Sequence, residues 1–112
     1  MRMAVISLGS VSSQMTITAM KKYCHDVDDI NLKDIEVTIT SKGRGVLYKG
    51  EPLEGYDCIL AKGSFRYAPL LRAITLALNQ NTYMPLIPSA FTIGHDKILT
   101  QLVLQKNGIP IP

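Results

Sequence analysis

Three short clusters in this sequence gather cations, hydroxyls and glycine closely enough to hold an anion. Lys62, Gly63, Ser64 and Arg66 follow an apolar run and precede an amphipathic one. That places an ammonium, a hydroxyl and a guanidinium beside the start of a helix, whose first backbone N–H groups lack intrahelical partners and favour negative charge. Arg66 can grip a carboxylate with two bonds. The competing reading is a solvated loop, where Lys and Arg are common. Gly9, Ser10, Ser12 and Ser13 follow another apolar run, but one glycine does not make the three-glycine dinucleotide fingerprint; a capped turn is the simpler reading. Lys42, Gly43, Arg44 and Gly45 lack the spacing of a phosphate loop and lie between two strand patterns, so they read as a hairpin turn. Ser10, Lys62, Ser64 and Arg66 are the candidate substrate-binding residues, suited to a small anion such as a carboxylate.

Lys97 is electrostatically out of place. It stands at the start of a helix, an end that is already positive, so a nearby anion would compensate it; the plain alternative is a surface lysine beside an Asp96 cap. His25 and His95 have no partner at metal or triad spacing. The two cysteines, Cys24 and Cys58, form no CxxC pair and read as buried free thiols rather than zinc or redox groups. No acidic pair with an asparagine is spaced to hold magnesium. The sequence therefore offers no catalytic residue and no metal ligand, and these residues alone are not expected to catalyse a reaction.

The elements that must position these groups alternate. Residues 1–8 are a near-continuous apolar run, the pattern of a strand buried on both faces. A helix is expected over 12–24, from Met15, Ala19 and Tyr23 and from Ile17, Met20 and Cys24. Residues 27–32 are weakly strand-like. Residues 35–40 alternate strictly, 41–45 form a turn and 46–49 return, which is a hairpin; 51–55 are a loop. Residues 56–61 are a second buried strand. Ser64 is the expected cap of the next helix, with Pro69 in its first turn and Leu70, Leu71, Ile74, Ala77 and Leu78 on one face; residues 79–81 end it. Residues 84–88 are expected as a short edge strand, because Pro85 and Pro88 cannot join a central ladder. Ser89 and Asp96 are expected to cap two further helices. The second carries an apolar stripe from Ile98, Leu99, Leu102 and Val103, and ends where Gly108 supplies a left-handed residue and Pro110 forbids continuation.

Strands alternating with helices argue an α/β fold: a small three-layer sandwich with a mostly parallel sheet, helices on both faces and an appended β-hairpin. The 112 residues suffice for one core, and a 46% hydrophobic content is ordinary for a globular chain. A net charge of +3, spread along the chain, with few aromatic residues, fits a small anionic ligand better than nucleic acid. No run is long enough to span a bilayer and no signal-peptide pattern opens the chain, so a cytoplasmic protein without a membrane partner is expected.

The block Asp96-Lys97-Ile98, Leu102, Leu104-Gln105-Lys106-Asn107-Gly108-Ile109-Pro110-Ile111-Pro112 resembles the segment that joins the N-terminal domain of ATP-grasp ligases to their ATP-binding domain. Leu47-Tyr48-Lys49-Gly50, the strand at 56–62, the helix after Ser64 and the proline-bearing stretch at 84–88 precede it in the order seen in the RimK-like branch. The resemblance covers residues 46–112 well and the rest more loosely. It implies the pre-ATP-grasp fold over 1–88, with 89–112 a helical linker into an ATP-grasp domain beyond. It also implies a ligase that joins a carboxylate to an amine such as glutamate or another amino acid, through an acylphosphate, with ATP and Mg2+ held mostly by that further domain. Lys97, the lysine of the Asp-Lys pair, would then reach the ATP phosphates. Relatives of this kind add glutamate to a ribosomal protein, to pterin or deazaflavin cofactors, or to an amino-group carrier protein.

The rival is a free-standing flavodoxin-like or receiver-like module. A receiver needs acidic residues at the end of its first strand, where this chain has Leu8, Gly9 and Ser10. A third reading makes the half-exposed hairpin, 35–49, a homo-oligomer contact, since exposed edges invite pairing.

Overall fold

The computed structural model describes residues 1–78, 81–94 and 96–110, with Phe65 described by its backbone alone. Strand β1 (Arg2–Ser7) is the centre of the main sheet. It pairs in parallel with β2 (Asp26–Asn31) on one side and β6 (Cys58–Ala61) on the other, with Ile6 opposite Ile30 and Ala61. Its apolar run is explained by burial on both faces: Ala4, Val5 and Ile6 are all 0% exposed. Val5 belongs to a small cluster with Ile17 and Val27, on the side covered by helix α1 (Val11–Met20). Ala4 and Ile6 belong to the larger cluster on the other side, with Ile59, Val46 and Leu53 and with Leu71, Ile74 and Leu78 at helix α2 (Ala68–Ala77) and its C-terminal cap. Burying side chains of the size of Leu71 and Ile74 is worth about 1.5–3 kcal/mol each.

The second sheet is antiparallel. Strands β3 (Ile35–Thr40) and β4 (Gly43–Tyr48) form the expected hairpin, and β5 (Glu51–Pro52) adds a short third strand to β4. The hairpin turn is tighter than expected: Thr40 pairs with Gly43, so only Ser41 and Lys42 lie outside the ladder. Two short helices close the chain, α3 (Pro88–Ile93) and α4 (Lys97–Lys106). The α/β sandwich with a parallel sheet and an appended hairpin is thus the observed architecture, and no described helix is long and apolar enough to cross a membrane.

Several local expectations are corrected. Helix α1 stops at Met20, four residues short, and passes into a turn in which the Cys24 N–H still reaches the Met20 carbonyl. Met15 and Tyr23 point to solvent, so only the Ile17 and Met20 face meets the sheet. Cys58 is buried and its thiol is pushed up by that burial, whereas Cys24 is half-buried and donates to the Met1 carbonyl at 3.0 Å. Residues 84–88 are not a strand. Among the described residues this stretch joins the sheet's backbone ladder by a single bridge, Tyr83 to Cys58, and the prolines that follow remove the N–H groups a ladder needs. Ser64 caps nothing: a 3-10 turn (Phe65–Tyr67) intervenes, and α2 begins after Tyr67 without a side-chain cap. Ser89 lies inside the first turn of α3, where Pro88 pre-sets the helix instead. Of the residues expected to end α2, Asn79 and Gln80 lie outside the described set, as do His95 and the final Ile111 and Pro112. The close of α4 is as expected. Gly108 has φ +70, its N–H meets the Gln105 carbonyl at 3.0 Å and the Ile109 N–H meets the Leu104 carbonyl at 2.9 Å.

The amino ends of the main sheet are tied by charge. Arg2 lies over the Tyr56 ring at 4.4 Å and reaches Asp28 at 3.4 Å, while the Tyr56 hydroxyl donates to the same carboxylate at 2.5 Å. Burial, followed by that hydrogen bond and the Asp28 charge, pushes the Tyr56 hydroxyl from 10.0 up to about 12, with Arg2 pulling the other way. Between those values the folded chain keeps a proton that the unfolded chain has released. This contribution is therefore complete below pH 10.0 and fades as pH rises towards about 12. Tyr56→Phe is expected to cost about 1 kcal/mol near neutral pH, and to flatten the alkaline loss of stability. Urea unfolding of both proteins at neutral and alkaline pH checks it; equal alkaline losses would contradict it.

Candidate functional site

The chain runs from β1 through α1 to β2 on one side of the sheet, and its later strand β6 joins the other side of β1. The order of strands therefore reverses between β1 and β6, the place where open parallel sheets bind ligands beyond their carboxyl ends. Two of the sequence clusters meet there. The Lys62 N–H extends the ladder to the Ile6 carbonyl at 2.9 Å, and its ammonium Nζ donates to the Ser12 hydroxyl at 3.0 Å. A lysine after one strand and a serine after its neighbour are thus joined across 50 positions of sequence.

The first loop is built by local bonds. Gly9 takes φ +77, which a side chain would strain, and its N–H is held by the Ser7 hydroxyl at 3.1 Å. Ser10 caps α1: its hydroxyl accepts from the Ser13 N–H at 3.2 Å and lies 2.9 Å from the Ser13 hydroxyl. Ser10 is thus already engaged as a cap, and Ser12 is the hydroxyl that faces Lys62. Ser64 and Arg66 are exposed and make no side-chain hydrogen bond to a described residue.

Beside Lys62 runs a groove of about 310 Å³ lined by Lys62, Gly63, Leu86, Ala90, Phe91 and Gly94. The fit at Gly63 is tight: a Cβ there would sit 3.0 Å from Leu71 Cδ1. Helix α3 forms its far wall and is pinned to α2 by the Arg72 guanidinium, which donates to the Thr92 hydroxyl at 2.7 Å. Soon after Gly94 the chain enters α4, where Asp96 caps as expected by accepting from the Leu99 N–H at 2.9 Å. Lys97 is the first residue of that helix, exposed and without an ion pair among the described residues. The apolar side of the groove and the Ser12 contact were not foreseen. The separation between Lys62 and Ser12 leaves no mark in local spacing, and the groove wall falls where a strand was expected. No group of three or more His, Cys, Asp or Glu among the described residues could hold a metal ion.

This arrangement is a parallel α/β sheet with a cation at its switch point, and its fold matches part of an ATP-grasp ligase. The structure of the ATP-grasp ligase PsnB, solved in complex with minimal precursor, Mg and ADP, superposes with a TM-score of 0.67 at 14% identity, over 98% of this chain and 45% of that one. No family model matches the sequence. Curated proteins do. A probable alpha-L-glutamate ligase of Methanococcoides burtonii is 31% identical over 109 residues, covering 90% of this chain and 34% of that protein. Proteins of the same name from Maridesulfovibrio salexigens and Xanthomonas euvesicatoria are 30% and 28% identical, over 90% and 100% of this chain. The chain is a homologue of RimK-like glutamate ligases, consistent with the N-terminal part of one, and spans about a third of the length of these relatives.

Ser10→Ala is expected to destabilise the protein by about 1 kcal/mol, the usual cost of a lost cap, and Ser64→Ala to stay within about 0.5 kcal/mol. Paired urea titrations decide between them; equal losses would reinstate Ser64 as a cap.

Proposed function

We propose that this chain is the N-terminal, substrate-side domain of an ATP-dependent carboxylate–amine ligase that transfers glutamate or a similar amino acid. What carries the reading is the likeness to probable alpha-L-glutamate ligases along nearly the whole chain. The exposed apolar face of α4 supports a division at 1–88 and 89–112. Ile98 is 71% and Leu102 54% exposed, and no residue of α4 is buried against the described part of the chain. A helix with such a face is stable when something covers it, as a following ATP-grasp domain would.

In this reading Lys97 meets the phosphates of ATP. Its charge has no ion-pair partner among the described residues, and Asp96 is engaged as the cap. Lys62 lies between the β1 and β6 loops, held by Ser12 in an orientation that a carboxylate can share. The Ser64 and Arg66 side chains are unengaged among the described residues and are available to the same substrate; Ser10 contributes by shaping the α1 terminus. When bound with magnesium, ATP would supply the phosphoryl group that activates the carboxylate, with ADP leaving at that step and phosphate leaving when the amine attacks. In this reading ATP and the metal are held mostly by the ATP-grasp domain. The acceptor is a protein or a small cofactor with a carboxylate, and the site of action is the cytoplasm.

In the intact enzyme, Lys97→Ala is expected to weaken ATP binding about tenfold or more, the size of a lost charge-assisted contact. Lys62→Met is expected to raise KM for the carboxylate substrate by a similar factor, leaving the KM for ATP unchanged. Calorimetric ATP titration and steady-state kinetics check the pair; unaltered ATP affinity in Lys97→Ala removes the nucleotide role, and unaltered carboxylate KM in Lys62→Met removes the substrate role.

A further inference from the structure

The outer edge of β3 is an unpaired strand edge, and its free groups are arranged to match themselves. The Lys49 N–H donates to the Asp34 carbonyl at 3.0 Å, so Asp34 faces β4. Backbone direction alternates along an antiparallel pair. Glu36, Thr38 and Thr40 therefore also face β4, whereas Ile35, Val37 and Ile39 face outward. The opposite strand agrees: Val46, paired with Val37, gives its carbonyl to the Leu53 N–H at 2.9 Å, away from β3. The Ile35 N–H is taken by the Leu32 carbonyl. That leaves the N–H and C=O of Val37 and of Ile39 facing outward, without a partner among the described residues. The same strand has no proline and no lysine, the usual protections of an edge, and near its end Ile39 is 84% exposed on the face that Ile35 and Val37 turn to the core.

We propose that β3 pairs with β3 of a second copy of this chain, antiparallel about a two-fold axis at Thr38. Pairing must join odd residues to odd residues, because only those carry free outward groups, and this parity also keeps the two apolar faces on one side. In the register centred on Thr38, Val37 lies opposite Ile39 of the second copy and the reverse. All four free groups of each chain are then used, and none is demanded of the Ile35 N–H. Ile39 gains an apolar neighbour. The self-match in hydrogen bonding and apolar face is what an isologous contact requires, and it favours a second copy over a strand of another protein. The product is one six-stranded antiparallel sheet, β5-β4-β3-β3-β4-β5.

The test uses the full-length protein carrying Thr38→Cys. In this register the two introduced thiols form a directly opposed, non-hydrogen-bonded pair with Cα atoms about 4.5 Å apart, within reach of a disulfide. Mild oxidation is expected to give a covalent dimer with Thr38→Cys and only the background of Cys24 and Cys58 with Thr40→Cys, which faces Glu36 instead. Ile39→Pro removes an outward N–H and no ladder bond. It is expected to abolish the cross-link made by Thr38→Cys in the double variant while leaving the thermal unfolding of the monomer in place. A monomer at high micromolar concentration in light scattering, equal cross-linking of the two cysteine variants, or a cross-link that survives Ile39→Pro would each overturn the proposal.

Discussion

The burial of β1 on both faces is the constraint on which the rest depends. Ala4 and Ile6 face one core and Val5 the other, all without exposed surface. A strand placed so must be central, must have neighbours on both edges and must be covered by two layers. The chain meets this by crossing over through α1 to β2 and by returning later with β6 on the other edge of β1, and this reversal of strand order brings the loops after β1 and β6 together. The Lys62 to Ser12 bond is a consequence of that topology. So is the groove beside it, since α2 covers the second face of the sheet and α3 packs on α2.

The two ends of the sheet divide the labour. At the amino ends Arg2, Asp28 and Tyr56 satisfy one another, so the charge there is spent on holding strands together. At the carboxyl ends the cations have light or no engagement: Lys62 has one hydroxyl partner, and Arg66 has no ion-pair partner among the described residues; nor has Lys97, at the start of α4. Unpaired cations beside helix starts and an apolar groove are the arrangement from which a small anionic substrate can draw affinity, and it agrees with the kinship to glutamate ligases.

How far the sequence could be read follows from the range of each signal. The apolar run of β1, the strict alternation of β3 and the Asp96 cap were legible because each is written within a few neighbouring residues. The likeness of the closing segment to RimK-like ligases was legible for the same reason, in the order Asp96, Lys97, Gly108, Pro110. The extent of α1 was misjudged because Met15, Ala19 and Tyr23 repeat at helical spacing yet face water. Ser64 and Ser89 were taken for caps on residue type, but a 3-10 turn and a proline set those helix starts instead. The strand expected at 84–88 failed because apolar residues between prolines look extended, while among the described residues this stretch joins the sheet's backbone ladder only at Tyr83. The Lys62 to Ser12 contact and the groove were beyond reach, because both arise only when strands far apart in sequence are laid side by side.

Coupled consumption of ATP and labelled glutamate by the intact protein tests the central claim most directly. With magnesium and an extract that contains the acceptor, the account predicts ADP and glutamate conjugate formed in equal amounts, each dependent on the other's precursor. ATP turnover indifferent to glutamate, or no conjugate in any extract, would contradict it.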